Sequence, residues 1–131
     1  MKQKTTSYRS ARGRALGLGS AKDGTHHWWA QRLTALALVP LTIWFVICIL
    51  GLIGGDYAQA KAWIAAPWNA VLLLLLIGAT FHHAQLGLQV VIEDYVHREG
   101  TKFALVILVK FAAILLGALA GFSVLKIAFG G

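Results

Sequence analysis

The 131-residue chain is 58% hydrophobic and 13% charged, with a mean hydropathy of +0.69; a soluble domain is nearer about 45–50% apolar, so a soluble fold is excluded. The net charge of +7 is not a nucleic-acid signature, because six of the twelve Lys and Arg (Lys2, Lys4, Arg9, Arg12, Arg14, Lys22) crowd the N-terminus, an asymmetry that sets membrane topology. The single cysteine, Cys48, excludes an intramolecular disulfide and a multi-cysteine metal site.

Residues 1–27 are polar, basic and rich in Gly and Ser, without helical or strand periodicity. They read as a tail held at the membrane surface by acidic lipid or a protein partner. The apolar run that follows is too long for a secretory signal and is not closed by a small-residue cleavage site, so the tail is expected to stay uncleaved. Gly17-Leu18-Gly19-Ser20-Ala21-Lys22 fits neither a dinucleotide nor a Walker spacing, and no strand precedes it.

Three spans follow, over residues 29–54, 67–92 and 103–129. Each exceeds the roughly 20 residues that a helix needs to cross hydrocarbon. Lipid offers no partner for backbone N–H and C=O groups, so all three are predicted to be helical, giving an all-α membrane protein. Pro40 is expected to kink the first helix, whereas Pro67 suits a first helical turn. Trp28 and Trp29 at one end, and Trp63 and Trp68 at the other, mark the two interfaces.

Charge sets the orientation. The tail and the 93–102 loop, with Arg98 and Lys102, belong on the cytoplasmic or matrix side, and the 55–66 loop on the other. The C-terminus then faces the opposite compartment, with Lys126 reaching outward. Lys110 lies about 10 Å inside the third span; it either snorkels to the surface or meets a lipid headgroup or a partner's carboxylate.

His83 lies deep in the second span, where a polar side chain requires a reason. His83, Gly87, Val90 and Asp94 follow an i, i+4, i+7, i+11 pattern and share one helix face. Gly87 lets a flat ring, such as a haem coordinated by His83, or a neighbouring helix approach the backbone. A hydrogen bond from His83 to another helix is the plainer alternative. His82 points about 100° away and cannot serve the same iron from the same side.

Asp94 and Tyr95 emerge about 16 to 18 Å further along that helix, where a phenol beside a carboxylate suits quinone reduction or simply a solvated interface. His26 and Arg32 lie at the same membrane surface, and the Arg32 guanidinium suits a haem propionate or a lipid phosphate. Three helices with one axial histidine make half of a six-coordinate haem site, so bis-histidine ligation demands a second chain.

His83-Ala84-Gln85-Leu86-Gly87 followed by Asp94-Tyr95-Val96, with His26 and Arg32-Leu33-Thr34-Ala35 at the head of the first span, resembles the small membrane-anchor subunit of succinate dehydrogenase. The likeness extends over residues 26–129. It implies pairing with a second three-helix subunit of cytochrome b type, with one haem b between them and His83 as one axial ligand. It implies that Tyr95 donates a hydrogen bond to ubiquinone, with Asp94 in the proton path. His26 and Arg32 correspond to the motif associated with haem propionates and the quinone pocket's edge.

In that family a flavoprotein oxidises succinate and an iron–sulfur protein passes on the electrons, so this chain is expected to be a noncatalytic anchor in a bacterial or mitochondrial inner membrane. A fumarate reductase anchor is the nearest alternative. A small transport subunit accounts for three spans and an intramembrane histidine without any cofactor, and a structural anchor without haem is a third option; the His83, Gly87 and Asp94 stripe weighs against both without excluding either.

Overall fold

The computed structural model describes residues 21–131, and side chains from Thr25 onward. Residues 1–20, and with them most of the basic tail and of the Gly17–Lys22 stretch, lie outside the described residues. The remainder forms four helices: α1 (Ala21–Gly51), α2 (Tyr57–Ala65), α3 (Pro67–Tyr95) and α4 (Glu99–Ala128). Three of them, α1, α3 and α4, are long and apolar enough to cross a membrane, and no strand occurs among the described residues.

The long helices contain most of the predicted spans, with two differences. First, α1 is already helical at Ala21, the first described residue, so residues 21–27 are helical rather than part of an irregular tail. Hydrocarbon compels helix only across its own thickness, and a helix is free to continue into the polar layer when no proline stops it. Second, the predicted 55–66 loop holds α2. Its signal is local: Asp56 is the N-cap and accepts a hydrogen bond from the Gln59 backbone N–H at 2.8 Å, in an Asp-x-x-Gln pattern. Pro40 lies inside α1, which continues on both sides of it. Pro67 sits in the first turn of α3, where its missing N–H costs nothing.

The middle long helix organises the rest. α3 packs against α1 on one side and α4 on the other, while α1 and α4 make no close backbone approach to each other. The three spans therefore form a row rather than a closed triangle. The short α2 lies across the ends of α3 and α4.

Burial is concentrated at the end that carries α2. There Ala70, Leu73 and Val124 form the buried cluster, flanked by Trp44, Phe45, Trp63, Ile64 and Ile77. Trp44 and Trp63 stack with ring centroids 5.8 Å apart, so Trp63 packs against α1 as well as marking an interface. Small residues set the α3–α4 spacing: a Cβ on Gly117 would lie 3.4 Å from Phe81, and one on Gly121 3.5 Å from Leu74. Toward the opposite end Gln85 and Leu86 are the buried residues among those described.

Candidate functional site

The α1–α3 interface holds the first part of the site. His83 is half-buried, and its Nδ1 lies 3.0 Å from the Thr34 hydroxyl of α1. One turn further along α3, Gly87 faces the same neighbour, since a Cβ there would lie 4.0 Å from Gln31 Nε2. The stripe is thus split by its surroundings. His83 and Gly87 lie against α1, while Val90 and Asp94 are exposed.

A cavity of about 220 Å3 opens beside His83, lined by Trp28, Gln31, Arg32, Ala35 and His83. Arg32 lies over the Trp28 ring, 4.3 Å from its centroid, a cation–π contact that holds the guanidinium beside the cavity. An imidazole and a guanidinium, distant in sequence, therefore line one concavity. Pockets that enclose a whole small ligand run to roughly 300–1,000 Å3, so this cavity alone is smaller than such a pocket.

His82 faces the other way. It lines a cavity of about 330 Å3 between α3 and α4, together with Gln85, Lys110 and Gly117. Gln85, buried in the span, begins a polar ladder along α3. Its Nε2 donates to Gln89 Oε1 at 3.3 Å, and Gln89 Nε2 donates to Glu93 Oε1 at 2.8 Å. That ladder supplies a partner for a buried amide in the span. Lys110 is exposed and lines the same cavity, away from Arg32.

The remaining candidates lie near the same end of the row but outside the His83 cavity. Tyr95 is the last residue of α3 and is 78% exposed; Asp94 beside it is also exposed. His26 is exposed, whereas its neighbour His27 is half-buried with Nε2 shielded and without a hydrogen-bond partner. His27 lies seven residues, about two turns, before Thr34, so the two share the face of α1 that packs on α3. Among the described residues no three His, Cys, Asp or Glu side chains converge as for a bare metal ion.

The sequence model of the family described as succinate dehydrogenase/fumarate reductase transmembrane subunit matches residues 6–117. The chain belongs to this family. A succinate dehydrogenase hydrophobic membrane anchor subunit from Rickettsia bellii (strain RML369-C) is 37% identical over 111 residues, covering 85% of this chain and 89% of the relative. The protein of the same description from Paracoccus denitrificans is 33% identical over 111 residues, covering 85% and 86%. A succinate dehydrogenase membrane anchor subunit from Reclinomonas americana is 28% identical over 96 residues, covering 71% and 80%.

For a member of this family, the structure adds contacts that the sequence alone did not show. Thr34 stands within the Arg32-Leu33-Thr34-Ala35 string, yet its contact with His83 spans 49 positions. A hydroxyl inside an apolar span was the available signal, because it needs a partner in lipid. Trp28, read as an interfacial anchor, also carries Arg32. The shielding of His27 Nε2 had no signal in sequence, since position 27 takes a given helix face only once residues 21–27 are known to be helical.

Proposed function

We propose that this chain is a noncatalytic membrane anchor of a succinate:quinone oxidoreductase, sharing haem b with a second three-helix subunit and building part of the ubiquinone site. The observation that carries this reading is the meeting of His83 and Arg32 on one cavity at the α1–α3 interface. The donor set fits the group. With Nδ1 of His83 engaged by Thr34, Nε2 is the nitrogen that would hold the iron. The planar Arg32 fork suits a propionate, and Gly87 leaves the backbone bare one turn away. A cavity of about 220 Å3 requires a second wall, which the cytochrome b-type partner and its own histidine supply. When bound, haem b supplies a one-electron store beside the path from iron–sulfur cluster to quinone.

The exposed end of α3 does a different task. Quinone reduction consumes two electrons and two protons. The Tyr95 hydroxyl donates a hydrogen bond to a quinone carbonyl oxygen, and the Asp94 carboxylate exchanges protons with water. Both side chains are exposed on this chain alone, as befits a pocket that the iron–sulfur subunit and the second anchor complete. His26 lies at the pocket's edge. The flavoprotein subunit oxidises succinate, and its electrons arrive through the iron–sulfur subunit. The basic N-terminal end faces the cytoplasm or matrix, with lipid around the apolar faces and the C-terminus in the opposite compartment.

The test is isolation of the chain from its own membrane with its bound subunits, followed by a reduced-minus-oxidised spectrum and a succinate:quinone assay. A b-type spectrum with quinone-linked succinate oxidation is expected. Absence of both from an intact preparation sinks the reading and favours a cofactor-free transport or structural subunit.

A further inference from the structure

We infer that Thr34 is a positioning residue that fixes the tautomer and the ring plane of His83. The inference rests on the proposed role of His83 as haem ligand and goes beyond it. Thr34 Oγ1 has three polar neighbours: the Ala30 carbonyl oxygen at 2.7 Å, the Gln31 carbonyl oxygen at 3.0 Å and His83 Nδ1 at 3.0 Å. A hydroxyl has one proton. Carbonyl oxygens only accept, and oxygen atoms 2.7 Å apart repel unless a proton lies between them. The Thr34 proton is therefore committed to its own helix, toward Ala30 with Gln31 beside it. Its remaining lone pair faces His83 and can only accept.

Nδ1 of His83 must then carry the imidazole proton and donate it to Thr34. In a neutral ring the other nitrogen, Nε2, keeps its lone pair, the form that a metal takes. The arrangement also fixes the ring's direction, because Thr34 is held at both ends. Its hydroxyl is tied to α1 through backbone carbonyls, and its χ1 is restricted by β-branching. A hydrogen bond that accepts from Nδ1–H increases the basicity of the ligating nitrogen, which favours the ferric over the ferrous state.

The test uses the assembled complex in its membrane, with Thr34→Val, Thr34→Ser and His83→Ala. Val keeps the shape and removes the acceptor; Ser keeps the acceptor. Thr34→Val is expected to loosen haem retention by roughly 10- to 100-fold, to change the low-spin ferric EPR signal and to raise the haem midpoint potential. A tenfold loss confined to the ferric state equals a rise of about 59 mV for a one-electron couple. Thr34→Ser is expected to restore the parent signal and potential. Should Val prevent assembly, Thr34→Ala removes the same hydroxyl with less bulk and takes its place. If His83→Ala loses the haem signal while the hydroxyl-less variants keep the parent EPR signal and potential, the role of Thr34 is overturned and ligation by His83 stands. If His83→Ala keeps the parent spectrum, ligation by His83 fails, and the inference with it.

Discussion

His82 and His83, adjacent in the chain, address different helices. His83 meets Thr34 of α1, and His82 lines the cavity against α4 with Lys110. The pair therefore separates ligation from mere polarity. His83→Ala is expected to remove most of the haem from the assembled complex, and His82→Ala to leave haem per complex at the parent level. Haem extracted and quantified against flavin measures both. The opposite ranking would exchange the two histidines' roles.

Gly87 grades the α1–α3 approach. A Cβ there sits 4.0 Å from Gln31 Nε2, an ordinary contact, so Gly87→Ala is expected to assemble with the parent haem content. Gly87→Leu overpacks the interface at a cost of about 1–3 kcal/mol and separates Thr34 from His83. Thermal melts of the detergent-solubilised complex, with spectra taken alongside, should show loss only in Leu. Equal behaviour of Ala and Leu would mean that Gly87 is not at a close approach.

The quinone role proposed for Tyr95 predicts that quinone chemistry and succinate oxidation part company in a variant. Tyr95→Phe removes one hydroxyl from an exposed position, so folding is undisturbed. Loss of the proposed hydrogen bond, worth about 1.4 kcal/mol, is expected to lower succinate:quinone turnover about tenfold. Succinate oxidation by an artificial acceptor that bypasses the quinone is expected to remain. Parallel loss of both activities would indicate misassembly instead.

Trp44 and Trp63 provide a control at the far end. They stack at 5.8 Å and 25°, and Trp44 lies about 15 Å along α1 from Thr34. A double-mutant cycle with Trp44→Ala and Trp63→Ala is expected to give a coupling of about 0.5–1.5 kcal/mol in stability. The haem potential should stay unchanged throughout. Purely additive stability losses would deny that the two rings act as a pair.

Much of this was legible before any coordinates. The three spans follow from hydrocarbon length, the place of Pro67 from its missing N–H, and the shared stripe of His83 and Gly87 from helical periodicity. Other features lay in the sequence but under a stronger signal. Asp56 and Gln59 carry a capping pattern for α2, overshadowed by the low hydrophobicity of residues 55–66. The helical residues 21–27 are polar, and an apolar-span criterion stops short of them.

Sequence by itself determined that the chain crosses a membrane three times as helices, because length and hydropathy settle a question in which lipid allows few answers. It also set the angles between side chains on one helix, since about 100° per residue is a property of the backbone. Only the tertiary structure decided how each helix is rotated against its neighbours. That rotation follows from interdigitating pairs such as Gly117 with Phe81 and Gly87 with Gln31, which lie far apart in the chain. It is what turns His83 to Thr34, sends His82 to the opposite cavity and brings Arg32 to the same hollow as His83.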